Sequence, residues 1–214
     1  MSVITPTILV RSVAELEEVA KKIAPFATRV QIDITDGEFA APTIKLEDIT
    51  TLPANWLVDF HMMVNRPSEY VAKLTALKPN LVIFHAEAAE DLLPSIEALK
   101  KAEIKVGVAL LPQSFPGDFA SYLSAAGHAL IFAGDLGQNG GEANLLQAEK
   151  VALIKAIKPS LEIGWDGGAN LKNVFTLNRA GVDVINVGEA LRKAEDASGM
   201  YEALKTEANR QGVI

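Results

Sequence analysis

Polar residues that can bind metals or transfer protons close several short apolar runs of this 214-residue sequence. They are Thr7, Gln31, Asp33, His61, His85 and Asp166. In the run VQIDITDGEF, which begins at residue 30, Gln31 and Asp33 are two positions apart and therefore face the same side of a strand. A buried carboxylate needs a cation, a proton or hydrogen-bond donors beside it. His61 and Asp166 are the neighbours that we expect for Asp33.

For several polar residues in or near these runs, a structural role is the alternative to a role in chemistry. Asp36 and Gly37 fit a turn after a strand equally well, because Asp accepts backbone hydrogen bonds and Gly adopts a positive φ. His61 taken alone also fits a histidine of the core. For His85 and for His128, which begins a predicted strand, we favour the structural role.

The elements that must position these side chains alternate between strand-like and helix-like segments. Apolar runs predict eight strands, at residues 4–10, 29–33, 56–62, 81–86, 105–110, 128–133, 161–166 and 183–188. Helical periodicity follows at residues 13–24, 66–77, 89–102, 115–126, 144–157, 169–180 and about 189–208, with residues 42–52 the weakest candidate. The pattern predicts an α/β fold, a (β/α)8 TIM barrel that forms a single domain over residues 1–214. An open, doubly wound sheet is the alternative.

Three glycine-rich stretches follow the last three predicted strands. They are GDLGQNGGEAN from residue 134, DGGAN from residue 166 and VGEAL from residue 187. Each alone fits an ordinary loop. Together they occupy the loops where barrels commonly bind phosphate through backbone N–H groups and helix N-termini, which favours a phosphorylated ligand.

Composition narrows the class of protein. The formal net charge is -7 with no basic cluster, so nucleic acid and anionic membrane surfaces are not expected partners. The sequence has no cysteine, which excludes disulfides, thiolate nucleophiles and cysteine-based zinc sites. No signal peptide and no apolar run near ~20 residues is recognisable, and we expect a cytoplasmic protein. Assembly into a homo-oligomer is left open.

The motifs taken together resemble the ribulose-phosphate 3-epimerase family over nearly the whole chain. ITPTIL, VQIDITDGEF, VDFHMMV, IFHAEA, VGVALLP, LGQNGGE, WDGGAN and GVDVINVGEAL occur in the order and near the spacing of that family. The resemblance implies a ribulose-phosphate-binding (β/α)8 barrel that inverts C3 of a ketopentose 5-phosphate with a divalent metal. Such inversion requires one group that removes a proton from one face of an enediolate and another that returns it on the opposite face.

Carried over by position, the resemblance implies a role for each candidate residue. The metal ligands would be Gln31, Asp33, His61 and Asp166, for an ion of the Zn, Fe, Mn or Co type, and the acid/base pair would be Asp33 and Asp166. The substrate-binding residues would be Thr7, His61, Gly140, Gly141, Gly167, Gly168, Gly188 and Glu189.

The sequence departs from the family pattern at several of these positions. The family has histidine at Gln31, serine at Thr7 and Glu189, and asparagine at Leu111. An amide oxygen is a weaker ligand than imidazole for zinc-type ions, so metal affinity should fall. The carboxylate of Glu189 would stand near a site meant for phosphate.

Three functions remain in competition at this point. The first is an epimerase acting on a phosphorylated ketose. The second is a barrel that binds a phosphorylated sugar or another anion without turning it over, which the changes at Gln31, Leu111 and Glu189 favour. The third is a related decarboxylase or hexulose-phosphate synthase barrel, which requires a lysine where this chain has Thr35.

Overall fold

Eight parallel strands close into a barrel in the computed structural model, which describes residues 1–134, 136 and 140–212. The strands are β1 Val3–Ile8, β2 Arg29–Thr35, β3 Leu57–Met63, β4 Leu81–His85, β5 Lys105–Leu110, β6 His128–Phe132, β7 Glu162–Asp166 and β8 Val184–Val187. Each strand pairs with the next in the chain, and β8 pairs with β1. The barrel prediction is confirmed, and the open sheet is excluded.

Helices surround this barrel on the outside. They are α1 Val13–Ile23, α2 Val71–Leu77, α3 Leu93–Lys101, α4 Ala120–Ala125, α5 Lys150–Ile157, α6 Val174–Arg179, α7 Glu189–Lys193 and α8 Ala197–Ala208. Short 3₁₀ segments precede α2, α4 and α5, at Pro67–Tyr70, Pro116–Phe119 and Leu145–Glu149. Among the residues that the structure describes, no helix is long and apolar enough to cross a membrane.

The prediction of helix was wrong in two places. The segment 42–52 contains only the 3₁₀ turn Leu46–Asp48, because Thr43 there bonds back to β2: its Oγ1 accepts from Thr35 N at 3.0 Å. The C-terminal stretch is two helices, since Asp196 caps a new helix by accepting from Gly199 N at 2.9 Å. Asp before a helical pattern is a start signal, so this break was readable from the sequence.

Strand alternation divides the side chains between two environments. Large outward-facing residues such as Phe60, Phe84 and Trp165 are fully buried beneath the helices. Leu81, Ile83, Ala109 and Leu130 form a separate apolar cluster on the inner face, where side chains two positions apart meet. The polar side chains at the C-terminal strand ends therefore lie above a dry layer.

Candidate active site

Four of the candidate side chains meet at the C-terminal mouth of the barrel. The strand register places Asp33 opposite His61, and His61 Nδ1 lies 3.2 Å from Asp33 Oδ1 and 3.4 Å from Asp166 Oδ2. The side-chain amide of Gln31 donates from Nε2 to Asp33 Oδ1 at 2.9 Å and to Asp166 Oδ2 at 2.6 Å. Both carboxylates are thus held together by one amide and one imidazole.

Burial controls the charges of this cluster. Gln31 and His61 are 0% exposed and Asp33 is 5% exposed. Burial raises the pKa of Asp33, with the neighbouring charge of Asp166 adding to the effect. Burial alone would lower the pKa of His61, but its hydrogen bonds to Asp166 and Asp33 outweigh that effect and raise the pKa to about 9. At neutral pH an imidazolium therefore balances the paired carboxylates.

The same donors fit a divalent metal ion. Ligand atoms of Asp33, His61 and Asp166 all lie within 4.8 Å of one another. The Gln31 amide presents its nitrogen to them, whereas its Oε1 is buried without a hydrogen-bond partner among the described residues. Half a turn of the amide would exchange these two atoms and add an oxygen to the donor set. Two carboxylates, an imidazole and an amide oxygen suit a zinc-type or harder ion.

A cavity of about 200 Å³ opens beside this cluster and includes the predicted glycine loops. Its lining contains the sequence-predicted residues Thr7, Asp33, Gly140, Gly141, Asp166, Gly167, Gly168, Gly188 and Glu189. It also contains Gly134, Ala169, Asn170 and Ala190 of the predicted glycine-rich stretches, and Leu9, Met63, Phe132, Asn186 and Lys193, which were not predicted as site residues. Oγ1 of Thr7 and Oδ1 of Asn186 are buried with no hydrogen-bond partner among the described residues.

Glycine is required in the loop after β7 because the backbone there is left-handed and crowded. Gly167 has φ +119° and Gly168 has φ +66°. A Cβ on Gly167 would collide with the backbone of Gly134, and one on Gly168 with the backbone of Ala143. The loops after β6 and β7 therefore pack backbone against backbone. Residues 135 and 137–139 of the loop after β6 lie outside the described residues.

Comparison with known proteins bears on this arrangement. The model of the ribulose-phosphate 3 epimerase family matches residues 3–192. The chain belongs to this family. The ribulose-phosphate 3-epimerase of Helicobacter pylori is 29% identical over 203 residues, covering 90% of this chain and 93% of that protein. The enzyme of the same name from Aquifex aeolicus is 25% identical, covering 89% of each chain. Family membership identifies the chain as an enzyme of the isomerase class with an epimerase-type function.

Solved structures of lower identity share the fold. The 3-hexulose-6-phosphate synthase of Salmonella typhimurium matches with a TM-score of 0.72 at 16% identity, over 97% of this chain and 98% of the other. The 3-keto-L-gulonate-6-phosphate decarboxylase of Vibrio cholerae matches with a TM-score of 0.74 at 10% identity, over 97% of each chain. At position 35, where the decarboxylase or synthase alternative required a lysine, Thr35 is buried and donates from Oγ1 to Ala41 O at 2.6 Å.

The departure at Glu189 places a carboxylate beside a glycine of the cavity. A Cβ on Gly140 would come within 2.6 Å of Glu189 Cδ, so the carboxylate lies directly against that residue. Lys193, one turn further along α7, pairs with Glu189 Oε1 at 2.5 Å and holds the pKa of Glu189 below its usual range. The negative charge stays at the cavity with a cation next to it.

The departure at Leu111 involves the backbone as well as the side chain. Leu111 N donates to Glu87 Oε1 at 2.9 Å, and Leu111 O accepts from Lys150 Nζ at 2.6 Å. Both partners are partly or fully buried, so the loop after β5 is fixed from two sides. Nothing in the sequence pattern indicated Glu87 or Lys150, because these contacts join different βα units.

A structural role was predicted for His85 and for His128, and the structure places these two histidines in different environments. His128 lies at the opposite end of the barrel, where its Nδ1 is 2.8 Å from Glu162 Oε2. His85 is fully buried at the mouth, with Nε2 2.8 Å from His61 Nε2. Burial lowers the pKa of His85 to about 4. His85 is therefore a neutral neighbour of the cluster, not an isolated core histidine.

Asp36 forms the turn that was the alternative to a catalytic role. Its carboxylate accepts from the backbone N–H groups of Glu38 at 2.8 Å, Phe39 at 2.7 Å and Asn65 at 2.6 Å. Burial would raise the pKa of Asp36, but these donors outweigh it and lower the pKa. Its oxygens are committed to the backbone.

Proposed function

We propose that the protein inverts C3 of a ketopentose 5-phosphate, interconverting ribulose 5-phosphate and xylulose 5-phosphate or a related phosphorylated ketose. The observation that carries the proposal is the pair Asp33 and Asp166, which border one cavity and share the same two partners, Gln31 and His61. Family membership supports the reaction class, and the names of the relatives support the substrate.

Asp33 and Asp166 act as the acid/base pair of this reaction. One carboxylate removes the C3 proton and the other, in its protonated form, returns a proton to the opposite face of the planar intermediate. The raised pKa of Asp33 suits this task, because burial makes the carboxylate a stronger base than an exposed one.

Asp33, His61 and Asp166 would hold the divalent ion, joined by Gln31 after its amide turns. When bound, the ion stabilises the negative charge that develops on the substrate oxygens next to C3. The chain's own residues orient the sugar: Thr7 Oγ1 and Asn186 Oδ1 offer unused polar atoms to its hydroxyls.

The glycine loops bind the phosphate. Backbone N–H groups around Gly140, Gly141, Gly168 and Gly188 border the cavity and need no lysine to attract an anion. Gly167 contributes the close approach of the two loops. Glu189 must turn away from Gly140 when a phosphate dianion enters, because its carboxylate lies against that residue while it is paired with Lys193.

Binding of a phosphorylated sugar without turnover is the second candidate function. It is favoured by the Gln31 amide, which donates to both carboxylates and so reduces their ability to accept a proton. The Glu189 carboxylate beside Gly140 favours weak or altered phosphate binding in the same sense.

One incubation separates the two candidates. Purified protein of measured metal content is mixed with ribulose 5-phosphate in heavy water, and deuterium at C3 is followed by NMR. Incorporation supports the epimerase, whereas binding without incorporation supports the second candidate. The variant Asp118→Asn, which changes an exposed acid in the 3₁₀ segment before α4, is the matched control for Asp33→Asn and Asp166→Asn.

A further inference from the structure

A buried chain of hydrogen bonds runs from the cluster to the loop after β5. His61 Nε2 lies 2.8 Å from His85 Nε2, and His85 Nδ1 lies 3.3 Å from Glu87 Oε2. The other oxygen of Glu87 accepts from Leu111 N at 2.9 Å and from the hydroxyl of Ser114. Both histidine side chains are 0% exposed, so water does not compete for these contacts.

The hydrogen positions in this series of hydrogen bonds can be derived from the Glu87 carboxylate at its end. Glu87 is a carboxylate that only accepts, so His85 donates to it from Nδ1. His85 then presents the lone pair of Nε2 to His61, because two ring nitrogens 2.8 Å apart share one hydrogen. His61 must therefore carry hydrogen on Nε2, and its Nδ1 is directed at Asp33 and Asp166.

We propose that His85 and Glu87 are positioning residues that hold His61 with hydrogen on Nε2 and so reserve its Nδ1 for a divalent cation between Asp33 and Asp166. The proposal rests on the metal use in the proposed function. The hydrogen bonds of His85 and Glu87 join them to His61, Leu111 and Ser114 and not to Asp33 or Asp166, so both residues act through His61. Ser114 and Leu111 fix Glu87 and connect the loop after β5 to the cluster.

Glu87→Gln tests which atoms donate and which accept along these hydrogen bonds, because glutamine has nearly the same size as glutamate. Leu111 N–H requires an acceptor, so the Gln oxygen takes that place and its NH₂ faces His85. His85 must then accept at Nδ1 and donate from Nε2, so His61 Nε2 must accept and the hydrogen of His61 stays on Nδ1, where it blocks a metal ion. We expect zinc affinity, measured in competition with a chelator at fixed pH, to fall by about 10–100-fold. Glu162→Gln, a carboxylate that also bonds a histidine but at the far end of the barrel, should leave it unchanged.

His85 variants keep the test valid if Glu87→Gln does not fold. His85→Gln retains an acceptor for His61 and a donor for Glu87, and should keep zinc affinity within a few-fold of the wild type. His85→Leu leaves His61 Nε2–H without a partner and should lose about 10–100-fold. A purely packing role predicts equal zinc affinity for the two variants, and that result would overturn the proposal.

The tautomer of His85 is a readout that does not require activity. ¹⁵N NMR of the metal-free wild type should show hydrogen on Nδ1 and a free Nε2, and Glu87→Gln should reverse this. A wild-type His85 with hydrogen on Nε2 would overturn the proposal. If zinc affinity depends on Glu87 while C3 exchange is absent, the positioning role stands and the proposed reaction fails. If exchange occurs and zinc affinity is the same in Glu87→Gln, the reaction stands and the positioning role fails.

Discussion

Gln31 determines how the two carboxylates of the cluster are held. Its NH₂ group donates hydrogen bonds to Asp33 at 2.9 Å and to Asp166 at 2.6 Å. These bonds hold the two carboxylates close together, as a bound cation would. An amide has a donor and an acceptor at opposite ends, and only its oxygen can ligate a metal. A histidine at this position supplies a ligand without such a choice.

Gln31→His should therefore tighten zinc or a similar first-row ion by about 10-fold or more. Metal content after dialysis and the C3 exchange rate at saturating metal measure the two effects separately. Gln113→His adds a histidine at an exposed position and is the control. Tighter metal binding without faster C3 exchange would indicate that Leu111 and Glu189, and not Gln31, limit catalysis. Unchanged metal binding would contradict the assignment of Gln31 to a metal site.

Glu189 sets the electrostatic conditions for an anion at the glycine loops. Its carboxylate lies against Gly140, so an anion bound there meets a like charge at contact distance. Glu189→Ser should tighten inorganic phosphate about 5–10-fold at low salt, and the gain should shrink as ionic strength rises. Titration followed by amide shifts measures it, with Glu195→Ser, which changes an exposed acid between α7 and α8, as the control. Equal phosphate affinity in both variants would show that Glu189 does not meet the anion.

At the scale of elements, the strands were predictable and several connections were not. Apolar runs and the two-residue alternation sufficed to bring Gln31, Asp33, His61 and Asp166 to one rim. The pairing of His85 with Glu87 was not predictable, because a hydrogen bond between a strand end and a loop leaves no periodic trace. Helical periodicity likewise failed at 42–52, where a hydroxyl contact between Thr43 and Thr35 competes with helix formation.

A variant in the loop after β7 tests whether the close packing of the loops after β6 and β7 is needed for phosphate binding. Gly168→Ala places a methyl group against the backbone of Ala143 at φ +66°, so the loops after β6 and β7 must separate. We expect phosphate affinity to fall by at least 10-fold, together with a loss of about 1–3 kcal/mol in the free energy of unfolding. Gly181→Ala, in the turn after α6, is the control, because its φ of +95° is also left-handed but the residue does not border the cavity. Equal phosphate affinity in the two variants would mean that loop packing does not shape the site.

At the scale of the whole molecule, the barrel separates a polar mouth from an ionic network at its opposite end. Arg29 bonds to Asp59 Oδ2 at 2.6 Å and to both oxygens of Glu162, which also contacts His128. The apolar inner layer lies between this network and the cluster. We therefore expect substitutions in the ionic network to leave metal and phosphate binding at the mouth unchanged.

The network makes stability depend on pH in a defined direction. Burial would raise the pKa of Glu162, but hydrogen bonds from His128 and Arg29 outweigh it and hold the pKa well below its usual range. A depressed pKa stabilises the fold at neutral pH, and the contribution is lost as the pH falls below about 4.5, the ordinary value. Because the Glu162 side chain is 41% exposed, Glu162→Gln should cost only about 1 kcal/mol at pH 7.

Urea unfolding of the two proteins at pH 7 and pH 3.5 measures this difference. The gap between wild type and Glu162→Gln should narrow at the lower pH. A gap that stays constant or widens would contradict the role of the Glu162 charge. Zinc and phosphate affinities should be unchanged at pH 7, since the variant lies at the other end of the barrel.

Single variants in heavy water test whether Asp33 and Asp166 serve opposite faces of C3. Asp33→Asn and Asp166→Asn are each incubated separately with ribulose 5-phosphate and with xylulose 5-phosphate, and C3 deuterium and epimer ratio are followed by NMR. At saturating metal each variant retains one base, so we expect it to exchange the C3 hydrogen of one epimer only, a different epimer for each variant, with interconversion reduced by at least 100-fold. Exchange of the same epimer by both variants, or interconversion at the wild-type rate in either, would contradict the two-carboxylate mechanism.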